Sequence, residues 1–440
     1  MSSREPIEEL GGLRAAFSLL RRNGDFRKLY LASLISLGGD WFLLVALFGL
    51  ALDLTGSAIS VAVLIAVQEI PFFLMSPIGG VITDRLDRKR LMVICDVARA
   101  VLVLGLLFVN DAGTMWIAYV LLGVTSSFAA VFDPASSAAM PNLVEPADLG
   151  PANALSGSLW GTMLAVGAAL GGIVAAWLGR DVAFAVDAAS FVVSALLIAR
   201  IHRPFSAERT EAVETNVIRA TVETIHYARR DHRVLALVTV KAGFGLAAGV
   251  LALIAVFADT VFHAGEVGIG ILMAGRGVGA LIGPFLGRWL SGRDDRRLFG
   301  AIGIALVVFG LGYALLGVMP SLWFGALAVG IAHLGGGAQW TLSSYGLQRI
   351  VPDRIRGRIF SFDFALITLS LTTSALVTGW AADRFGARPT VMVLGGVAVV
   401  WAAVWTWLTT DVRHATMIEG CGPAPELELL AEPEPEARLV

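Results

Sequence analysis

Charged residues are scarce in this chain. Asp, Glu, Lys and Arg make up 15% of its 440 residues, whereas hydrophobic residues make up 56%. A soluble globular protein carries about 25% charged residues. Each charge placed in hydrocarbon costs about 2.5–3.5 kcal/mol on insertion scales, so a polytopic membrane protein explains the deficit. The 49 glycines agree with this, because small residues let membrane helices approach closely.

Cysteine and net charge are low as well. The two cysteines, Cys95 in an apolar run and Cys421 near the C-terminus, indicate neither a disulfide framework nor a metal site. A net charge of −2 gives no basic field for nucleic acid. The sequence shows no paired catalytic carboxylates in an aqueous loop, no Cys/His cluster and no phosphate-binding loop. We therefore expect no catalytic residues, no cofactor, no metal and no nucleic-acid partner.

Twelve apolar runs are long enough to cross a bilayer core, which takes about 20 residues in a helix. They predict an all-α membrane protein of twelve transmembrane helices. The runs cover residues 29–52, 57–82, 91–110, 114–138, 152–178, 182–199, 234–258, 266–288, 298–317, 321–347, 359–381 and 389–410.

The distribution of Lys and Arg predicts the orientation of these spans. With the N-terminus in the cytoplasm, only three of the 33 basic residues, Arg180, Arg384 and Arg388, fall in outer loops. Three more fall inside predicted helices, and the remaining 27 lie on the cytoplasmic side. We expect both termini to be cytoplasmic, in a bacterial inner or plasma membrane. The basic start of the chain is interpreted as a retained segment and not as a signal peptide.

Composition also divides the chain. A long, charged and polar segment separates six spans from six and includes an amphipathic stretch around Val217–Tyr227. The C-terminal tail is acidic and broken by proline, which predicts disorder. The predicted divisions are an N-terminal cytoplasmic segment (1–28), a first six-helix bundle (29–199), a cytoplasmic linker (200–233), a second six-helix bundle (234–410) and the tail (411–440).

An internal repeat relates the two bundles. A shift of 207 residues brings several glycines and a basic loop edge of the first half onto the second, which predicts two pseudo-symmetric six-helix bundles. The matches include Gly80 on Gly287, Gly172 on Gly379, Gly179 on Gly386, and Lys89-Arg90-Leu91 on Arg296-Arg297-Leu298.

The loop between spans two and three reads G-V-I-T-D-R-L-D-R-K-R from Gly80 to Arg90. It resembles the signature Gly-x-x-x-Asp-Arg-x-Gly-Arg-Arg of the major facilitator superfamily, with Asp87 where that family usually has Gly. An anion at Asp84 would be stabilised by the N-terminal dipole of another helix. The symmetry suggests the start of span eleven, near Arg358-Ile359, as that helix.

This contact would latch the cytoplasmic side shut. The predicted latch consists of Gly80, Asp84, Arg85, Arg88, Lys89 and Arg90. The alternative is that the basic residues of the loop only set the orientation in the membrane. Ser291 takes the place of Asp84 in the second half, so the equivalent latch there is degenerate.

A narrower resemblance points to the drug- and siderophore-exporter branch of the superfamily, the group with macrolide efflux proteins and the enterobactin exporter. A span-five glycine motif that the superfamily links to antiport is similar to V-G-A-A-L-G-G (166–172), with Ala168 in the proline position. Packing between helices is the alternative role for these glycines. The stretches that carry the resemblance are R-N-G-D-F-R-K-L-Y-L-A-S (22–33), F-D-P-A-S-S-A-A-M-P-N-L-V (132–144), A-N-A-L (152–155), D-A-A-S-F (187–191) and Q-R-I-V-P-D-R-I-R-G-R-I-F (348–360).

Ionisable residues inside spans are candidates for function. If the architecture of the family holds, spans one, four, seven and ten line a central cavity, and three of the candidates lie in or beside it. The alternative is a static ion pair, in which an acid of the first half neutralises Arg276 or Lys241. The candidates for proton coupling or substrate binding are Asp40, Glu69, Lys241, Arg276 and His333, with Gln68, Gln339 and Trp340 as hydrogen-bonding and stacking groups.

Asp96, Arg99 and Asp133 form a second group. Asp96 and Arg99 share a helix face at i,i+3, and Asp133 lies at a similar depth in span four. We expect a structural charge cluster near Asp84.

Together these features predict a secondary active transporter that exports hydrophobic or amphipathic small molecules, such as drugs or natural products. The mechanism expected is alternating access with proton antiport, consistent with multidrug efflux and antibiotic resistance. The alternative is a siderophore, lysophospholipid or other solute carried by the same superfamily. The expected partners are the substrate, protons and the lipid bilayer, and the expected state is a monomer.

Overall fold

The structure is a computed structural model that describes residues 17–205, 217–292 and 295–415. Most of the C-terminal tail, for which the sequence predicts disorder, and most of the N-terminal cytoplasmic segment lie outside these residues. The side chains outside the described part include those of 76–85, 147, 150, 154, 217–223, 295, 296, 353, 354, 357 and 413–415.

Long helices account for nearly all of the described chain, and the predicted all-α membrane fold is confirmed. A linker helix, Val217–Arg230, joins the two halves, and Thr410–Ala415 follows the last span. The twelve membrane helices are α1 Gly24–Thr55, α2 Ala58–Arg85, α3 Arg88–Leu104, α4 Met115–Leu143, α5 Leu149–Leu178, α6 Arg180–Ala199, α7 His232–Ala247 continuing through Val250–Val256 and the π-helical Phe257–Val261, α8 Gly265–Ser291, α9 Asp295–Leu316, α10 Leu322–Ile350, α11 Asp353–Phe385 and α12 Ala387–Leu408.

Eleven of these helices, within the described residues, are both long and apolar enough to cross a membrane. The exception is α10, which has the length but carries His333, Gln339 and several glycines in its interior. Those polar residues are buried inside the bundle. α10 is therefore polar because of what it contacts inside the protein, and the count of twelve spans stands.

Local sequence sets where the helices begin and end. Asn23 caps α1 by accepting a hydrogen bond from the Phe26 N–H at 2.9 Å, and Gly56 ends that helix with φ of 65°. Asp87 caps α3 by accepting from the Arg90 N–H at 2.7 Å. A side-chain cap of this kind stabilises a helix by about 1 kcal/mol. The position where Asp87 departs from the family signature therefore has a structural role.

The predicted repeat is visible in the backbone. Gly179 lies between α5 and α6, and Gly386, 207 residues later, lies between α11 and α12. Their φ,ψ angles are 93°,157° and 88°,158°. Because positive φ is strained for residues with a Cβ, both repeats use glycine to make the same sharp turn.

Helix packing follows the same symmetry. In the first half α1 packs on α5 and α6, α2 on α4, and α3 on α4 and α6. In the second half α7 packs on α11 and α12, α8 on α10, and α9 on α10 and α12. The two halves meet mainly along two helix pairs, α5 with α8 and α2 with α11.

Glycines set the spacing at these two interfaces. A Cβ on Gly172 of α5 would lie 3.1 Å from the Cα of Gly270 on α8, and one on Gly379 of α11 would lie 2.8 Å from the Cα of Ile59 on α2. Gly172 and Gly379 are related by the 207-residue shift, so one contact is repeated at both interfaces. Within the span-five glycine motif, Gly171 lies as closely against α1, with a Cβ position 2.8 Å from the Cα of Phe42. These contacts show the packing role of the motif.

The distal end of the bundle is the one at which α1 ends and α2 begins, near Thr55 and Ala58. The proximal end is the opposite one, at which α2 ends and α3 begins, near Arg85 and Arg88.

Gly172→Ala is expected to destabilise the folded protein by about 1–3 kcal/mol, because the added methyl group overpacks the α5–α8 interface. The measurement is the thermal unfolding midpoint in detergent. Gly157→Ala is the matched control, since a Cβ at that position of α5 meets no atom within 4 Å. Both variants gain the same helix propensity. Equal midpoints for the two variants would show that the close approach at Gly172 does not limit packing.

Candidate transport site

Arg276 lies at the centre of a polar site on α8. Its Nε–H donates a hydrogen bond to Nε2 of His333 on α10 at 3.1 Å. The other ring nitrogen of His333 lies 3.3 Å from the hydroxyl of Tyr313 on α9. Because Nε2 accepts a hydrogen bond, it carries no hydrogen itself. The imidazole is therefore neutral, with its hydrogen on Nδ1. His333 and Tyr313 are both buried, so the acceptor of the Arg276 hydrogen bond is itself enclosed by packing.

Arg276 also reaches the other half of the molecule. Its guanidinium carbon lies 5.4 Å from the ring centroid of Trp160 on α5. Trp160 in turn packs edge-on against Trp41 of α1 at 6.3 Å between centroids. A cation over an aromatic face is attracted by the ring quadrupole. Since 46% of Trp160 is exposed, its ring offers an accessible apolar face beside a half-buried cation.

Glu69 on α2 is the acidic counterpart of Arg276 in the first half. It is half-buried, and each of the two side chains lies within the electrostatic range of the other. In the part of the chain that the structure describes, the two are not in ion-pair contact. Gln68 beside Glu69 is also half-buried.

The repeat relates Glu69 directly to Arg276, since residue 69 shifted by 207 is residue 276. The two repeats thus carry opposite charges at one structural position, on helices that the pseudo-symmetry exchanges. The sequence contained this signal, but the repeat was predicted from matching glycines and a matching basic loop edge, and positions of opposite charge were not considered.

A second ion pair lies within the second half. Lys241 on α7 forms an ion pair with Asp363 on α11, and its ammonium lies 3.0 Å from the hydroxyl of Ser344. The ammonium also faces the ring of Trp340 at 5.0 Å. Lys241 and Asp363 are 2% and 3% exposed, so the pair is closed to solvent. Sequence analysis missed Asp363, although it is an acid inside a predicted span.

The remaining polar candidates of α10 are not brought to Arg276 as a group. Gln339 is fully buried, and neither atom of its side-chain amide has a hydrogen-bond partner. Trp340 is 38% exposed and lies beside Lys241. The candidates predicted as one set therefore divide between the Arg276 site and the Lys241 pair.

Asp40 joins the group that was predicted as structural. Arg99 on α3 donates from one nitrogen to both carboxylate oxygens of Asp40, at 2.7 and 3.0 Å. Asp96 lies 3.9 Å from the other terminal nitrogen of Arg99. Asp40 thus pairs inside its own half, and the alternative in which it neutralises Arg276 or Lys241 is wrong.

Two further carboxyl groups lie near Arg99. Asp133 on α4, predicted as a member, and Asp187 on α6, which was missed, are both within electrostatic range of the guanidinium. Asp187 was visible only as part of the D-A-A-S-F stretch. We call Asp40, Asp96, Arg99, Asp133 and Asp187 the Arg99 cluster.

The predicted proximal latch is only partly described. The side chains of Gly80, Asp84 and Arg85 lie outside the described residues, so the contact of Asp84 with α11 stays a prediction. Arg88 donates to the carbonyl of Ala138 at 2.8 Å, and Lys89 donates to the carbonyl of Ile201 at 2.7 Å.

These two bonds tie the loop to its own half, and Arg90 contributes its N–H to the cap of α3. Ser291, at the position equivalent to Asp84, is buried and bonds to the carbonyl of Arg288.

Polar contacts join the two halves at the distal end. Asp383 at the end of α11 accepts hydrogen bonds from the N–H groups of Ala58 and Ile59 at 2.7 and 3.3 Å, and from the hydroxyl of Ser57. A carboxylate at a helix N-terminus is stabilised by the unpaired N–H groups and by the helix dipole. Asp383 therefore caps α2 from across the interface.

The equivalent position of the other interface holds an arginine clamp. Arg180, at the start of α6, forms ion pairs with Glu266 of α8 and with Asp53 of α1. Its Nε donates to Glu266 at 2.8 Å. Glu266 and Ile59 are related by the 207-residue shift, so the two clasps lie at equivalent positions of the two interfaces between the halves. We call these contacts of Asp383 and Arg180 the distal clasps. Sequence analysis missed both.

Comparison with known proteins places this architecture. A family model described as "Transmembrane secretion effector" matches residues 15–429. Macrolide efflux protein A of Streptococcus pyogenes is 24% identical over 397 residues, covering 88% of this chain and 96% of that protein. A candidate bacilysin exporter of Bacillus subtilis (strain 168) is 26% identical over 347 residues, covering 78% of this chain and 84% of that protein.

Solved structures show the same fold. A bacterial homologue of the human lysosomal transporter Spinster, in an inward-facing and unoccupied conformation, superposes with a TM-score of 0.73 at 14% identity. The match covers 92% of this chain and 99% of that one. The helical architecture, the extent of the family match and the efflux relatives agree. This chain is a multi-pass membrane transporter, not an enzyme, and it belongs to the transmembrane secretion effector family within the efflux branch of the major facilitator superfamily.

Proposed function

We propose that this protein exports hydrophobic or amphipathic small molecules by alternating access, driven by proton antiport. Such an activity would support multidrug efflux and antibiotic resistance. The observation that carries the proposal is the opposite charge of Glu69 and Arg276 at repeat-related positions on helices of the two halves. In this arrangement the guanidinium neutralises the Glu69 carboxylate when the halves bring the two groups together. When the halves move the groups apart, a proton neutralises the carboxylate instead.

The chemistry follows from the cost of charge in a low dielectric. When Glu69 is ionised, Arg276 is its counter-charge and the pair favours an approach of the halves. When Glu69 binds a proton, that attraction is lost and the halves separate more easily. A substrate between the halves competes with the proton, because it either displaces the carboxyl group or changes its solvation. Competition of this kind couples the movements of the two ligands.

Accessible aromatic rings support the substrate class. Trp160 and Trp340 are 46% and 38% exposed and lie over Arg276 and Lys241 respectively. Ligand sites for apolar molecules combine aromatic walls with a few polar groups that fix orientation. The relatives that match this chain include proteins named for macrolide efflux and bacilysin export. These names support natural products as the first substrates to test for export.

The distal clasps suggest how the cycle is gated. They join α11 to α2 and α6 to α8, so the two halves are in contact at the distal end. We infer that this arrangement opens toward the proximal end. The proposed orientation, with both termini in the cytoplasm, makes the proximal end the cytoplasmic one, and the excess of Lys and Arg there supports it. The monomer and the Asp84 latch remain part of the proposal.

Glu69→Gln is expected to reduce proton-coupled transport about tenfold or more, because the amide keeps the shape but cannot exchange a proton. The measurement follows a panel of lipophilic dyes and a macrolide in proteoliposomes with an imposed pH gradient, together with lumenal pH. Glu145→Gln is the matched control, since Glu145 is exposed and lies outside the transport site.

Two results would contradict the proposal. One is a wild-type rate for Glu69→Gln under the same gradient. The other is transport by the wild-type protein without any proton flux. If siderophores or lysophospholipids move and the dyes do not, the substrate class is the alternative one and the coupling test still applies.

Arg180→Ala is expected to open the distal end, because it removes the clasp between α6 and α8. The measurement is the distance between spin labels at Asn110→Cys and Val318→Cys, both exposed at the distal end, in a Cys421→Ser background. The longer-distance population should grow relative to the parent. Arg384→Ala is the control, since this exposed arginine lies near the same end but forms no described clasp. Identical distance distributions for Arg180→Ala and the parent would remove the gating role of the clasp.

A further inference from the structure

The Arg99 cluster contains more acid than its single cation can neutralise. Asp40 is hydrogen-bonded to Arg99 at 2.7 and 3.0 Å, and Asp96 lies 3.9 Å from the same guanidinium. Asp133 and Asp187 act on Arg99 from α4 and α6. Four carboxyl groups from four helices thus face one guanidinium.

The second half provides an internal comparison. There Lys241 is neutralised by Asp363 alone, and both side chains are closed to solvent. One acid for one cation is therefore enough to bury a charge in this fold. The three additional carboxyl groups of the Arg99 cluster need a different explanation from ion pairing.

Two of these carboxyl groups are sealed and unsatisfied. Asp96 and Asp187 are both 0% exposed. Neither oxygen of Asp96 has a hydrogen-bond partner, and Oδ2 of Asp187 has none. An ionised carboxylate in such a place loses its hydration without compensation, so the group binds a proton instead.

Neighbouring polar atoms point to the same occupant. Ser194 on α6 is 0% exposed, and its hydroxyl lies beside the Asp96 carboxyl, where it can accept a hydrogen bond from a protonated carboxyl group. Within the described residues, no group of three or more His, Cys, Asp or Glu side chains is arranged to hold a metal ion. The occupant that fits is a proton.

Exposure falls in steps across the cluster. Asp133 is exposed, the Asp40 side chain is 32% exposed, and Asp96 and Asp187 are sealed. Asp187 lies against α1 next to Asp40, because a Cβ on Gly39 would meet its carboxyl group. A proton that reaches Asp133 or Asp40 from water has thereby entered the Arg99 cluster, which also contains the buried acids Asp96 and Asp187.

The geometry points to the Arg99 cluster as a proton-binding site, in which Asp96 and Asp187 hold protons that exchange with water through Asp133 and Asp40. Each binding step adds one proton from water to a carboxylate oxygen, and each release returns it. The charged and polar groups that face the site are Asp40 from α1, Cys95, Asp96 and Arg99 from α3, Asp133 from α4, and Asp187, Ser190 and Ser194 from α6. α5, which also packs on α1, has no ionisable side chain.

This inference extends the proposed antiport but does not need transport for its test. The test is infrared difference spectroscopy of the purified full-length protein in lipid nanodiscs, titrated in pH and recorded in light and heavy water. The C=O stretching band of a protonated carboxyl group is the readout. At neutral pH, Asp96→Asn and Asp187→Asn are each expected to remove one such band. Asp133→Asn, at an exposed position, is expected to keep both bands but to slow their response to deuterium exchange.

Glu145→Gln is the isosteric control and should leave the bands unchanged. Glu69→Gln should leave the two bands assigned to Asp96 and Asp187 unchanged and affect only a band of Glu69 itself, so a failure of the transport proposal is separable from a failure of this one. The inference is overturned if no protonated carboxyl band exists at neutral pH, or if Asp96→Asn and Asp187→Asn both leave the bands as in the parent. It is also overturned if sodium chloride, compared with potassium chloride at constant pH, abolishes the bands, since the occupant would then be a metal cation.

Discussion

An ionisable side chain inside this bundle has to be neutralised, by a partner or by a proton, because an unpaired charge in a low dielectric is costly. Three cations within the helices show three solutions. Lys241 forms a buried ion pair with Asp363. Arg99 is shared among several acids. Arg276 is held by a neutral histidine and a tryptophan, and faces Glu69 of the other half. Only this last arrangement depends on how the two halves sit, and the proposed coupling follows from it.

The scaffold is symmetric where it packs and asymmetric where it carries charge. Gly172 and Gly379 make equivalent close contacts, and Gly179 and Gly386 make equivalent turns. At positions 69 and 276 the repeats differ in sign, and at Asp84 and Ser291 they differ in charge. Duplication explains the shared packing. The repeats are parallel, so the pseudo-two-fold axis runs along the membrane normal and exchanges the halves without exchanging the membrane faces. The charge differences therefore make the two halves chemically unlike each other.

Sequence predicted the large features because they depend on local properties. Apolar length predicted the spans, and glycine matches at one offset predicted the repeat that the turns at Gly179 and Gly386 display. Partners were harder to predict. Asp363 meets Lys241, and Asp187 meets Arg99, only because helices far apart in sequence converge. The capping role of Asp87 was also missed, although an Asp before a helix is a local signal.

The distal clasps were unpredictable for a related reason. Asp383 caps a helix that begins 325 residues earlier in the chain, and no local pattern indicates such a contact. The relation between Glu69 and Arg276 was available from the sequence, because the offset that aligns the glycines also aligns these two residues. A search for repeats that includes charge differences, as well as identities, would have found it.

The central claim is that Glu69 and Arg276 act as one unit across the two halves. A double-mutant cycle of Glu69→Gln and Arg276→Gln tests it, with proton-coupled transport in proteoliposomes as the readout. Residues that act as a unit have non-additive effects. Both single variants should lose most of the coupled rate, and the double variant should be no slower than the slower single one. Losses that multiply in the double variant, or a wild-type rate in either single variant, would contradict the account.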